Sequence, residues 1–208
     1  MDALPRLPAP PGMLLHRFTV KPRHLDDWLA LWPAEADGLR DSGFTLHRLF
    51  VETDAEPKVT LLASHPEGLF PDGSTLPVRQ PAALAPHVFR NAVTRPVRCE
   101  LLTSASESSI DGRIAIMRRY AIVGGWDRFL AIWERIVPVR ERYGFRCLFA
   151  VSDVPHDLFT WAFDFAGAWE NFPDAQRGYY ADPERVSLRE VFHHMADYSI
   201  HPARQLLL

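Results

Sequence analysis

His16 and Arg118 stand at matching places in two similar apolar segments, and their residue types are the first in the chain to suggest chemistry. In an extended segment, period two puts Leu14, His16, Phe18 and Val20 on one face, and Ile116, Arg118, Tyr120 and Ile122 on one face of the other. Histidine moves protons near neutral pH. Arginine holds a carboxylate or enolate oxygen through paired N–H groups, and Tyr120 adds a donor. The plainer reading is that His16 and Arg118 pair with acids across a sheet and only stabilise it. His47 beside Arg48, and Arg146, lie on later apolar segments where one of each neighbouring pair faces inward. Phe159, Trp161, Phe163 and Phe165 share one face of another segment, which suits core packing or a flat apolar ligand. The candidate catalytic set is therefore His16, Arg118, Tyr120 and His47. The candidate substrate-binding set is Trp161, Phe163, Trp133, Tyr180 and Arg146.

Other motifs are weak or missing. There is no Gly-rich phosphate loop, GxSxG elbow, HExxH or CxxC pair. His193-His194 is conspicuous, but adjacent helical residues point apart. With His201, His156 or Asp197 a metal site is conceivable, yet the spacing does not demand one, and no metal is assigned.

The elements that must position these residues occur twice. Arg17–Val20 (RFTV) matches Arg119–Ile122 (RYAI), and Asp26–Trp32 (DDWLALW) matches Asp127–Trp133 (DRFLAIW). Gly43-Phe44 then matches Gly144-Phe145, all at an offset of 101 or 102. Each copy of about 95 residues reads strand, helix, strand, strand, helix, strand, the split βαβ order of a ferredoxin-like unit. The strands are expected at 13–20, 44–51, 58–64 and 96–102, and again at 114–122, 145–151, 158–165 and 198–206. The first helices carry apolar stripes through Trp28 and Trp32, and through Phe129, Trp133 and Val137. Pro33 and Pro138 should kink or divide them, and Gly43 and Gly144 should end them. Second helices are expected near 82–93 and 184–196. The parts are a loose Pro-rich tail (1–12), a first repeat (13–102), an exposed linker (103–113) and a second repeat (114–208). Each sheet leaves one face bare. Two units packed sheet to sheet would give an α+β, pseudo-dimeric, eight-stranded α/β barrel within one chain, with further homodimerisation open.

Composition limits the partners. At 208 residues, 47% apolar and a net charge of −3, the chain is globular and gives no electrostatic reason to expect a nucleic acid. No apolar run has the length of a bilayer span, and the N-terminus lacks a signal-peptide core. The two cysteines, Cys99 and Cys147, sit in apolar stretches as in a reduced cytoplasmic protein.

Several strings resemble the dimeric α/β-barrel superfamily, above all its NIPSNAP-like members. They are Met117–Tyr120 (MRRY), Ile136–Phe145 (IVPVRERYGF) and Tyr180–Glu184 (YADPE). Copy one departs: His16 and Phe18 replace the Arg and Tyr, and Asp-Pro-Glu is missing. The resemblance implies a small-molecule pocket and a role among cofactor-free monooxygenases, cyclases, isomerases or haem-handling proteins. The expectation is an enzyme without an organic cofactor, acting on an aromatic or polyketide-like metabolite in a biosynthetic or catabolic pathway. The alternative is a non-catalytic metabolite- or haem-binding protein.

Overall fold

The computed structural model describes residues 4–52, 56–67, 83–106 and 110–208, and leaves the side chains of 90–92 undescribed. The chain forms two compact units. One comprises Ala9–Arg98 with Ala203–Leu208, the other Met1–Pro8 with Cys99–Pro202.

The first unit opens with β1 (Met13–Val20), α1 (Leu25–Asp41), β2 (Thr45–Glu52) and β3 (Lys58–Ser64). β4 (Val88–Pro96) follows, giving the strand order β4-β1-β3-β2. β1 is antiparallel to both its neighbours, so His16 faces Leu61 on one side and Thr94 on the other. Trp28, Trp32, Ala36 and Leu39 of α1 pack with Leu14, Phe18, Leu49, Val59 and Leu61.

The second unit contains β5 (Arg98–Leu102), β6 (Arg113–Ile122), α2 (Trp126–Arg142), β7 (Arg146–Asp153) and β8 (Leu158–Ala166). Two short helices follow, α3 (Phe172–Ala181) and α4 (Pro183–Ser187), and then β9 (Met195–Leu206). Its strand order is β9-β6-β8-β7-β5. Residues 203–206 at the far end of β9 pair with β2, while β5 borders β7. The closing strand of each repeat thus ends in the unit built by the other repeat. This reciprocity has no local sequence signature, because it depends on pairing residues far apart in the chain.

Both units carry the ferredoxin-like α+β pattern, and nine strands occur among the described residues. The helix expected near 82–93 is not there. In its described part, a single 3-10 turn at Ala85–His87 leads into β4. Pro86 limits the turn, and Val88, Phe89, Val93 and Thr94 are β-branched or aromatic residues that favour a strand on β1. The Pro-rich 68–82 lies outside the described residues. The helix expected near 184–196 stops at Ser187, and a 3-10 turn (Arg189–His193) takes the chain to β9. α1 and α2 run unbroken through Pro33 and Pro138, and Gly43 and Gly144 follow them at φ of +90° and +81°.

The described part of the N-terminal tail is tied down: Arg6 bridges Thr103, Leu7 N–H donates to Leu102 O, and Ser104 N–H donates to Pro5 O. Thr103, expected in an exposed linker, is buried and donates its hydroxyl to the Leu148 carbonyl at 2.9 Å.

Gly124 joins β6 to the start of β9. Val123 N–H donates to His194 O, and His194 Nδ1–H donates to Gly124 O at 2.6 Å. A Cβ at Gly124 would lie 2.7 Å from His194 Cα and 2.9 Å from His193 O. Backbone atoms cannot yield as a side chain can. Gly124→Ala should therefore cost about 1–3 kcal/mol in urea unfolding, as overpacking does. An unchanged unfolding midpoint would show that the junction is looser than this packing requires.

Candidate functional site

β6, β8, α2 and the α3–α4 segment build one cavity inside the second unit. The register of β6 on β8 sets Arg118 opposite Trp161 and Tyr120 opposite Phe159. α2 adds Trp133, Ile136 and Arg140 from its buried face. Tyr179 and Tyr180 come from the end of α3, Arg185 from α4, and Val191, Phe192 and Met195 from the 3-10 turn and the start of β9. The cavity opens to solvent, and its enclosed part has room for about one water molecule.

Arg185 is aimed by a helix cap. Asp182 Oδ1 accepts the Glu184 and Arg185 N–H groups at 2.8 and 3.2 Å, and Pro183 occupies the first helical position. Asp182 Oδ2 accepts the Tyr143 hydroxyl at 3.0 Å. The Asp-Pro-Glu string is thus a device that starts α4 and turns Arg185 inward, where its Nε–H donates to Tyr179 Oη at 2.7 Å.

The electrostatics are unusual. Arg118, Arg140 and Arg185 are all buried, and no Asp, Glu or His is among the described lining residues. Their neighbours are rings. The Arg140 Cζ lies 4.1 Å from the centroids of both Phe163 and Tyr179. Arg118 lies over Tyr120 at 5.6 Å, and Arg185 over Tyr180 at 5.5 Å. Arg118 Nε, Arg140 Nε and Nη1, Arg185 Nη1 and the Trp133 indole N–H have no hydrogen-bond partner among the described residues. Burial raises the Tyr120 phenol above its usual range, against the pull of Arg118 and Arg140. Burial also opposes ionisation of Tyr180, but the charges of Arg118 and Arg140, the hydrogen bond to Arg118 and the charge of Arg185 outweigh it and lower this phenol. Uncompensated buried cations facing a cavity favour an anion there, and the rings favour a planar body.

Among the residues singled out by sequence, Arg118, Tyr120, Trp133, Trp161 and Tyr180 line this cavity together. Phe163 lies behind it, against Arg140. Arg146 is elsewhere: its Nε donates to Asp164 Oδ1 at 3.0 Å and its Nη2 to Oδ2, while Arg113 Nη2 holds Oδ1 at 2.7 Å. That cluster is a compensated core ion group. His16 and His47 belong to the first unit and do not line the cavity. The His16 Nδ1 is 2.7 Å from Thr94 Oγ1, and His47 Nε2 is 2.8 Å from Ser64 Oγ. His194 meets Gly124 O and Glu190, and forms no metal cluster among the described residues. Both cysteines are free, and burial pushes the thiols of Cys99 and Cys147 up to about 11 and about 12, leaving them unreactive.

Arg140 and Arg185 were missed. Arg140 could have been found, because it continues the apolar stripe of α2 by heptad spacing from Trp133. An arginine at a core position of a helix is itself a signal. Arg185 gives no such signal, since α4 is a single turn.

Scans of family models and of curated proteins give no match. Solved structures do match. A candidate monooxygenase from Fusobacterium nucleatum superposes with a TM-score of 0.66 at 10% identity, over 100% of this chain and 94% of that one. A second, from Lactobacillus acidophilus, gives 0.63 at 8% identity, over 93% and 92%. An anthrone oxidase-like protein gives 0.61 at 11% identity, over 96% and 95%. At such identities the likeness establishes the ferredoxin-like fold, and function must be argued from the site. No helix among the described residues is long and apolar enough to cross a membrane.

The buried His16 and half-buried His47 of the first unit set a pH dependence. Burial lowers His16 from its usual 6.5 to about 4, so the folded protein keeps it neutral while the unfolded chain takes up a proton. The stabilisation is complete above pH 6.5 and is lost as pH falls toward 4, up to about 3 kcal/mol by linkage. His47, lowered by burial and by Arg48, acts with the same sign. His16→Asn should flatten the decline of urea-unfolding free energy between pH 6.5 and 4.5 by about 1 kcal/mol per pH unit. Parallel curves for both proteins would refute the assignment.

Proposed function

We propose that the chain is a small-molecule enzyme without an organic cofactor. Its substrate class is an anionic aromatic or polyketide-like metabolite, and its chemistry is of the cyclase, isomerase or cofactor-free monooxygenase type. NIPSNAP-like membership, a cytoplasmic setting and a role in biosynthesis or catabolism belong to the same proposal. One observation carries it: three buried guanidiniums surround an aromatic cavity whose described lining has no carboxylate. The monooxygenase-like structural neighbours support the same direction.

In this reading Arg118 and Arg140 hold an enolate or phenolate oxygen, and Trp133 and Trp161 flank the substrate ring. Stabilising that oxyanion lowers the acidity barrier at the neighbouring carbon and enriches the ring in electrons. The proton passes to the Tyr180 phenolate, the form that the surrounding arginines favour, and Tyr180 becomes the neutral phenol. This replaces His16 and His47 as the base, since neither lines the cavity. The non-catalytic reading keeps the same anion contacts and omits turnover.

The test uses a hydroxynaphthoate or anthrone-type probe. Its binding should quench the fluorescence of Trp133 and Trp161, and turnover would appear as oxygen uptake or product formation. Arg140→Met should weaken binding at least tenfold, about 1.4 kcal/mol. Because it removes an uncompensated buried charge, the variant's thermal midpoint should hold or rise. A midpoint several degrees lower with unchanged binding would make Arg140 structural and overturn the reading. Binding without turnover would select the non-catalytic alternative, and a Soret band in the purified protein would select haem.

A further inference from the structure

Outside that cavity, the first unit brings together two imidazoles and a carboxylate. His24 precedes α1 and Asp27 lies in its first turn, while His87 ends the turn before β4. The ligand atoms of His24, Asp27 and His87 all lie within 4.8 Å of one another. The two Nδ1 atoms are 3.2 Å apart, with the ring planes inclined at 58°. Two nitrogens bound to one tetrahedral zinc at 2.0–2.1 Å would be separated by about 3.3 Å. The imidazoles therefore already stand at the spacing that a shared metal ion requires.

The backbone around them is fixed. His24 N–H donates to Lys21 O, Lys21 N–H donates to His87 O, and His87 N–H donates to Leu84 O, at 3.0, 2.8 and 3.0 Å. Lys21 Nζ donates to Pro86 O at 2.6 Å, and Val20 pairs with Val88 in the adjoining strands. His24 occupies the cap position of α1, yet its side chain makes no capping bond. Its ring is turned to His87 instead. Asp27 is exposed, so its carboxylate can rotate toward the pair at little cost.

We propose that His24, His87 and Asp27 bind a late first-row divalent cation, with zinc as the probe and water completing the shell. Two imidazoles and one carboxylate suit zinc, copper or nickel and do not suit magnesium or calcium, which prefer all-oxygen shells. The ion clips the start of α1 to the turn before β4 and stabilises the first unit. The positive end of α1 and Lys21 oppose it and Asp26 assists it, so the affinity is micromolar. The competing arrangement is a plain N–H···N hydrogen bond between the rings.

The experiment titrates Zn²⁺ into the chelator-stripped full chain by calorimetry, with Co²⁺ absorption reporting coordination geometry. One equivalent should bind with a Kd on the order of 1–10 μM and raise the thermal midpoint by a few degrees. His24→Ala and His87→Ala should each weaken binding at least about 30-fold, and Asp27→Asn about 5- to 10-fold. Asp27→Asn alters an exposed residue, so it reads the site even if a histidine variant folds poorly. The proposal fails if the wild type shows no saturable equivalent below about 100 μM. It fails equally if His24→Ala/His87→Ala, folded by circular dichroism, keeps the equivalent, which would move zinc to other histidines such as His193 or His201.

Discussion

Three guanidiniums held out of water, with no carboxylate among the described residues that line their cavity, are the constraint to which the second unit answers. An unpaired buried charge is costly, and ring faces and phenol oxygens offset only part of that cost. The same unit shows the compensated arrangement: Arg113 and Arg146 share Asp164, deep among the strands. Arginines used for stability are therefore paired here, and those at the cavity are not. Holding Arg118, Arg140 and Arg185 so close needs stiff supports on every side. The β6–β8 register, the long helix α2 and the Asp182 cap of α4 provide them.

In the proposed function, that arrangement would link charge to reactivity. An incoming anion would complete the three cations and relieve their desolvation, so binding energy becomes available at the oxygen where charge develops. The two tyrosines respond oppositely to the same arginines. Tyr120, buried, is held protonated by burial, while Tyr180, half-buried, is moved toward ionisation by the arginines. In the proposed function, one phenol would donate a hydrogen bond and the other exchange a proton, a division of roles set by environment.

Much of the strand framework was legible because period-two alternation is local. β1 and β3 fall at 13–20 and 58–64, where the pattern places them. The second helix of copy one was misread because Leu84, Val88 and Phe89 have helix-like spacing, while pairing with β1 decides for a strand. Within the site, residues on β6 and β8 could be seen to share a face. Arg185 could not, since its direction follows from a cap formed across a loop. His16 and Arg118 are equivalent in sequence, yet equivalence in a repeat does not put two residues in one cavity.

Their equivalence instead explains the difference between the units. α1 and α2 span 25–41 and 126–142, so Trp32 corresponds to Trp133 and Leu39 to Arg140. The strand registers pair His16 with Leu61 where Arg118 meets Trp161, and Phe18 with Val59 where Tyr120 meets Phe159. At each of these positions the first unit is apolar or neutral: Leu39 for Arg140, Phe18 for Tyr120, and a histidine held uncharged for Arg118. These positions therefore add no cation to the first unit, whose buried Arg48 lies on β2. A homodimer must repeat every charged position twice and bear the desolvation of both sets. A duplicated chain can place Arg118, Tyr120 and Arg140 in one copy and His16, Phe18 and Leu39 at the matching positions of the other. In the proposed function, stability and ligand binding, which compete within one sequence position, would thereby be separated between two copies of it.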